Sequence, residues 1–271
     1  MVLQEPVTPP CKLPESAVMV TYSNEHLFSL LVLQRRAMEV LGVRDCLEKR
    51  MVTVCLDKIC PHLCDLHAIP NCVDLHIETA ASDFLQADYA WIVYIKHEII
   101  EAAVQVAKEV FFVDTDTLIF NDPWTVNLNL PEGPYDLRYQ AEHSAPNGCA
   151  AGANGGQIYV RQSNASAAYL ANMKSFAPDI LDGKHGLDQD FIFRAADAAN
   201  AKRCALDPAY FIGHCDGSRV AQTDSKGIIV YHTNCVSGKE KMQRLIHFFK
   251  LRKAEKELRF DLNVGEVENE K

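Results

Sequence analysis

Apolar and polar positions follow two rhythms along the first half of the chain. Residues 17–22 (AVMVTY), 51–56 (MVTVCL) and 110–113 (VFFV) are short apolar runs with the length and content of buried strands, and a weaker run lies at 73–77. Between the first two, Leu27, Leu30, Leu31, Leu33, Ala37, Met38 and Leu41 recur at helical spacing, with Gly42 placed as the stop. Ile99, Ile100, Ala103, Val104 and Ala107 predict a second helix, which returns the chain to Val110. Strands alternating with helices predict an α/β domain with a mostly parallel sheet and helices on both faces.

Past Trp124 the rhythm breaks. Residues 125–156 carry Pro131, Gly133, Pro134, Pro146, Gly148, Gly152, Gly155 and Gly156 around one predicted strand at 136–141. This loop-rich stretch is assigned to the substrate side. Strands are predicted at 157–161, entered through Asn154-Gly155-Gly156, whose glycines serve close backbone approach to a ligand or, more commonly, a tight turn, and at 204–211 and 228–232. Helices are predicted at 165–176, from Gly186 onward, and from Met242 to about Leu258, the last with Leu245, Phe248, Phe249 and Arg252 near one face. With no internal repeat and no clear linker, residues 17–258 read as one domain of two lobes. A loose proline-rich leader (1–16) precedes it, and an acidic tail (259–271) is expected to fray.

A length of 271 residues suits one large α/β domain, and 48% hydrophobic with 23% charged residues is ordinary for a soluble globular protein. The net charge of −9 argues against a nucleic-acid or anionic-membrane surface as main partner. An anionic substrate then needs a local metal or a few well-placed lysines. No apolar run approaches the ~20 residues of a membrane helix. The first residues lack the basic-then-apolar order of a signal peptide, so the chain is either cytoplasmic or written without an anchor. Of ten cysteines only Cys60, Cys64 and Cys72 cluster, without the paired CxxC of a zinc ribbon. Disulfides are expected in a lumen and inert buried thiols in a cytosol. Asn164-Ala165-Ser166 is a glycosylation sequon, a triplet that also arises by chance.

The candidate chemistry starts at Asp114-Thr115-Asp116, directly after the run at 110–113 and closed by Asn121-Asp122-Pro123-Trp124. Two carboxylates this close to a strand's carboxyl end can converge on one ligand. They repel each other unless a cation lies between them, and oxygen donors suit Mg²⁺ or Mn²⁺ better than zinc. A bare DxD is as often a plain acidic loop; the buried strand and the closing turn favour a site. Ligands of open α/β sheets gather outside the strands' carboxyl ends, where Asn24, Asp57 and the Asp114/Asp116 pair all fall. Asp188-Gln189-Asp190 opens a helix and serves equally well as a cap favouring the helix dipole. His232 ends a strand, a place for a hydrogen-bonded structural histidine or a ligand. Gly238, with Lys239 and Lys241 behind it, fits anion binding at a helix start.

The order of these pieces resembles the nucleotide-diphospho-sugar transferase family, the group around glycosyltransferase family 77, with a GT-A fold. The matching segments are the strand into Asn24, Val54-Cys55-Leu56-Asp57, residues 110–124, Asn154 through Arg161, Asp188-Gln189-Asp190, residues 206–211, and His232-x-Asn234-Cys235-x2-Gly238. The resemblance implies a metal-dependent transfer of a sugar from a nucleoside-diphosphate sugar, most simply a UDP-sugar, to a hydroxyl of a glycan or glycoprotein acceptor, with retention. It implies that Asp116 and His232 bind Mn²⁺ or Mg²⁺, while Asp114 reaches the metal, the ribose, or both. It further implies that Asn24 and Asp57 lie near the nucleoside, that Asn154, Gly155, Asp188 and Gln189 line the donor sugar, and that Gly238 and Lys241, with Lys239 as the alternative lysine, meet the diphosphate. Relatives with Golgi anchors suggest a Golgi lumen for this domain if an anchor is missing. Two rivals are weighed. A haloacid-dehalogenase-type phosphatase also uses an apolar strand and DxD, but expects glycine then threonine where Thr117-Leu118 stand. A non-catalytic sugar-nucleotide-binding module would be expected to have lost one of Asp114, Asp116, His232 or Gly238.

Overall fold

In the computed structural model of the chain, residues 12, 14–75, 87–126, 128, 134–142, 149, 152–183, 186–213, 215 and 227–266 are described, with backbone alone at 87–88 and 255–266. The apolar runs form β1 (Ala17–Ser23), β2 (Met51–Cys55) and β4 (Glu109–Val113), and the weaker run gives β3 (Cys72–Asp74). Residues 76 and 77 of that run lie outside the described residues, as do 1–11 and 13 of the leader and 267–271 of the tail. β6 (Leu137–Ala141), β7 (Ala153–Arg161) and β8 (Arg203–Ala205) complete a seven-stranded sheet in the order β3-β2-β1-β4-β7-β6-β8. Of its six pairings only β4–β7 and β7–β6 are antiparallel, so the sheet is mostly parallel. Strand order reverses at β1, which has β2 on one side and β4 on the other. A crevice opens at such a switch point, outside the carboxyl ends of the strands.

The first helix, α1 (Phe28–Leu41), ends where Gly42 adopts φ +73° and its N–H caps the carbonyls of Met38 and Glu39. Its apolar positions Leu30, Leu31, Ala37 and Met38 are buried. After the short α2 (Arg44–Leu47), α3 (Ile59–Leu66) connects β2 to β3, and α4 (Ala87–Val104) returns the chain to β4. α5 (Asn164–Ser175), α6 (Ala177–Leu181) and α7 (Asp188–Ala198) pack on α4 and β7 around Ile100, Phe112, Ile158, Val160, Met173 and Ile192. Burying each such side chain contributes roughly 1.5–3 kcal/mol. Phe111, fully buried on the other face of β4, packs with Phe211 and Trp124.

Three expectations are corrected. Asn154-Gly155-Gly156 is no entry turn; it lies within β7, opposite β6 and β4. The predicted strand at 204–211 is two strands, because Asp207 closes a turn before Pro208. Its carbonyl accepts from Tyr210 and Phe211 N–H and its carboxylate from Ala209 N–H, and β8 ends in one sheet while β9 (Phe211–Gly213) begins in another. That second sheet, β5 (Thr117–Ile119), β10 (Val230–His232) and β9, has no counterpart in the sequence reading. Lastly, the closing helix α8 runs from Gly238 to Glu266, past its expected end near Leu258. Leu245 and Phe248 are its buried anchors, with Phe248 stacked on Tyr231 at 4.1 Å and Arg252 over Phe120.

The described cysteines are all disulfide-bonded. Cys55–Cys60, Cys64–Cys72, Cys149–Cys204 and Cys215–Cys235 are joined, Cys46 is also bonded, and no described cysteine is free. Among the described residues no helix is long and apolar enough to cross a membrane.

Candidate active site

The Asp114-Thr115-Asp116 turn joins the two sheets. β4 feeds it from the large sheet and β5 leaves it into the small one, so backbone bonds from both fix its shape. Asp114 N–H donates to Gly156 O at 2.8 Å, and Asp116 O accepts from the Thr233 N–H (3.1 Å) and hydroxyl (2.9 Å). Thr115 donates to Tyr22 O, and Gln34 and Thr117 brace the Asp114 carbonyl. Register pairs Thr117 with His232, which puts the histidine at the DxD turn.

His232 is buried at the strand end, with Nε2 3.3 Å from Asp116 Oδ1 and 3.8 Å from Asp114 Oδ2. Its Nδ1 meets Gln140 Oε1 at 2.8 Å. An amide oxygen only accepts, so Nδ1 carries the proton and the Nε2 lone pair faces the carboxylates. That is the tautomer a metal ligand needs, held by an outer partner. Donor atoms of Asp114, Asp116 and His232 all lie within 4.8 Å of one another. A Cβ on Gly156 would overlap the His232 ring, which explains the glycine without any unusual backbone angle.

Two lysines balance the acids. Lys241, in the first turn of α8, sits 2.5 Å from Asp116 Oδ2. Burial pushes Asp116 up, but the Lys241 ammonium outweighs it and holds the carboxyl well below the usual range. Lys96 is only 2% exposed; its Nζ lies 3.4 Å from Asp114, 3.6 Å from Asp188 and 3.1 Å from Gly155 O. Burial lowers Lys96, yet Asp114 and Asp188 bring it above its ordinary value. Asp188, also 2% exposed, is raised by burial and lowered more by Lys96 and by its 3.0 Å contact with His97 Nε2, so it is held ionised.

Around this cluster the other expected residues separate. Asn24 is buried, its Oδ1 accepts from Leu27 N–H at 2.9 Å, and it lines the crevice with Tyr22, His26, Tyr89, Asp114, Asp116 and Lys241. Burial, then the Asp114 charge, raises both the Tyr22 and Tyr89 phenols and keeps them protonated. Asp57 does not line that crevice. Its carboxylate is taken up by the N–H groups of Glu25, Ile59 and Cys60, a clamp between β1 and the start of α3. Asn154 donates to Glu142 at 2.6 Å and to Gln189 at 3.4 Å, and accepts from Gly156 N–H. A Cβ on Gly155 would stand 2.8 Å from Asp188 Oδ2 and 3.1 Å from Lys96 Nζ, so the site approaches bare backbone there. Gly238 is exposed with φ +53° and opens α8; Lys239 is exposed, and it is Lys241 that reaches the acids. Asp190, the second acid of its triplet, caps α7 through Leu187 N–H.

Lys96, His97, Gln140 and Glu142 escaped the sequence reading. The first two carried a signal: a Lys-His pair amid buried Ile92, Val93, Tyr94, Ile95 and Ile99 contradicts the helix around it. Gln140 and Glu142 carried none, since polar residues at alternate strand positions are ordinary.

This arrangement of a parallel sheet, a DxD turn at its switch point and a histidine from a second sheet is that of a GT-A glycosyltransferase. The solved structure of the galactosyltransferase LgtC in complex with donor and acceptor sugar analogues matches with a TM-score of 0.55 at 11% identity, over 86% of this chain and 95% of that one. A glycosyltransferase involved in glycosylating the major capsid of PBCV-1 matches with a TM-score of 0.51 at 14% identity, over 88% of this chain and 99% of that one. No curated protein sequence matches significantly. Residues 46–245 match the nucleotide-diphospho-sugar transferase family, and the chain belongs to it. It is therefore a glycosyltransferase, and neither the phosphatase nor the non-catalytic alternative stands.

Proposed function

We propose that this enzyme transfers a sugar from a UDP-sugar to a hydroxyl of a glycan or glycoprotein, with a divalent cation and with retention of the anomeric configuration. The observation that carries the metal is the convergence of Asp114, Asp116 and the Nε2 lone pair of His232 within 4.8 Å. Two carboxylates and one imidazole fit Mn²⁺, or Mg²⁺, as residents of the site. Bound there, the ion supplies Lewis-acid stabilisation of the charge that grows on a leaving diphosphate.

The chain's own residues do the rest. Tyr22, Asn24, His26 and Tyr89 form the crevice that accepts the nucleoside, with the acids at its inner end. Lys241 brings a partly exposed ammonium to Asp116 and offers it to the diphosphate; Lys96 ties the metal-side Asp114 to the sugar-side Asp188. A general base must be able to accept a proton near working pH. Asp188 is ill suited, because Lys96 and His97 occupy it and hold its pKa low. It and Gln189 serve better as negative and dipolar stabilisers of an oxocarbenium-like sugar, with the acceptor's proton passing to the departing phosphate. That favours retention. Five described disulfide-bonded pairs or half-pairs, Cys46 included, support a luminal or extracellular setting, the Golgi lumen among them.

The test is a thermal-shift panel of nucleotide sugars with and without Mn²⁺, followed by proton NMR of the first product. UDP should raise Tm in the presence of Mn²⁺ and EDTA should remove most of the gain. Equal stabilisation without metal would refute the metal's role, and a β-linked product from an α-linked donor would refute retention.

A further inference from the structure

Glu142 is a carboxylate that the mechanism above leaves idle. It follows β6 directly, two positions beyond Gln140, so it continues the strand face on which Gln140 holds His232. Its Oε2 accepts from Asn154 Nδ2 at 2.6 Å, and that same amide reaches Gln189 Oε1 at 3.4 Å. Its Oε1 rests 3.5 Å from Cys215 Sγ and 3.8 Å from Cys235 Sγ. Those sulfurs are joined to each other, so neither has an S–H to donate. Among the described residues no lysine, arginine or histidine forms an ion pair with Glu142. One carboxylate oxygen is thus fixed by Asn154 and the other is held against a disulfide, half-buried and, among the described residues, without a donor.

Its place in the site names the missing donor. The nucleoside crevice lies on the Tyr22, Asn24 and Tyr89 side of the DxD turn. Glu142 lies instead with Asn154 and Gln189, beside the Cys215–Cys235 bridge that follows His232. A half-buried carboxylate with an open lone pair is stabilised by a hydrogen-bond donor, and a hydroxyl is the donor that a substrate of a glycosyl-transfer site brings. Asn154 links Glu142 to Gln189, a residue already assigned to the donor sugar.

We propose that Glu142 Oε1 accepts a hydrogen bond from a hydroxyl of the acceptor and so positions that acceptor, without taking its proton. This selects a neutral polyhydroxylated acceptor over an acidic one, because a second carboxylate there would be repelled. The inference rests on the glycosyltransferase reading of the site.

The experiment compares Glu142→Gln and Glu142→Ala with the unaltered enzyme in two reactions of the best nucleotide sugar. One is transfer to a panel of neutral p-nitrophenyl glycosides and one p-nitrophenyl glucuronide; the other is slow hydrolysis, with water as acceptor. Losing a hydrogen bond to a charged group should raise the glycoside KM roughly 10- to 100-fold. For Glu142→Gln, whose amide oxygen can still accept from Asn154, hydrolysis and the Mn²⁺-dependent thermal shift by UDP should stay within about twofold and one degree. Glu142→Gln should also narrow the preference for neutral over glucuronide acceptors. Equal losses in transfer and hydrolysis would assign Glu142 to the donor sugar and overturn the proposal, as would an unchanged glycoside KM in both variants. If the unaltered enzyme turned over no nucleotide sugar at all, the reading of the whole site would fall, a different failure from either of these.

Discussion

Replacing Lys96 with methionine tests the electrostatics of the site most directly, because nearly everything known about that ammonium is internal. Its Nζ donates to Gly155 O (3.1 Å) and lies at ion-pair distance from Asp114 (3.4 Å) and Asp188 (3.6 Å), in a pocket where lysine and Asp188 are each 2% exposed. Methionine keeps the stem's volume and removes the charge. Breaking a buried pair costs roughly 3–5 kcal/mol; the His97 contact that Asp188 retains argues for the lower end, about 3 kcal/mol. For a domain of this size that lowers Tm by about 6–12 °C, at roughly 2–4 °C per kcal/mol. The pH dependence is the sharper test. In the native protein Asp188 is held below its free value, so its contribution is present above pH ~4 and lost only as pH falls further. Without Lys96, burial dominates and the group prefers its proton; stability is then fullest at low pH and lost as pH rises through the raised value. Melting curves from pH 4 to 8 should therefore show a deficit that narrows toward pH 4, and saturating Mn²⁺ should narrow it at pH 7.5 as well. A deficit independent of pH, or none, would refute the view that Lys96 neutralises the two acids.

Other outcomes follow from the same geometry. Asp116→Asn should abolish the Mn²⁺-dependent thermal shift by UDP while leaving the far-UV circular dichroism unchanged. Gly156→Ala pushes a methyl into the His232 ring and should cost about 1–3 kcal/mol, with metal affinity, measured by titration calorimetry, falling more than for alanine at exposed Gly183. His232→Ala should weaken Mn²⁺ binding, measured by titration calorimetry, more than it lowers the apo Tm. Asp188→Asn and Gln189→Ala should each lower kcat, both well short of the roughly 10²–10⁴-fold of a lost general base; a loss of that full size confined to Asp188→Asn would restore it as the base.

What the sequence could disclose depended on whether a residue's neighbours in space were also its neighbours in the chain. The apolar runs of β1, β2 and β4 and the helix closed by Gly42 carry their structure locally, and so does the Asp114/Asp116 pair at the end of β4. The metal cluster needed one long-range partner. His232 came from the family resemblance, while the structural reason it arrives is the pairing of β10 with β5, a three-residue strand too short to announce itself. Glycine at 155 and 156 looked like a turn because turns are the usual local use of Gly-Gly. Here the cause is distant: side chains of Asp188, Lys96 and His232 occupy the space that Cβ atoms would need. Asp57 is ambiguous in the opposite sense, since an acid at a strand's carboxyl end fits a ligand site and a helix-capping clamp equally well, and only the structure shows its three backbone donors. Lys96 lies between these cases. It is flanked by the buried Ile92, Val93, Tyr94, Ile95 and Ile99, and a buried lysine needs an acid beside it. Which acids those were, one from the DxD turn and one from the start of α7, is written only in the packing of α4 against β7 and α7. That packing makes one ammonium bind the two halves of the site together.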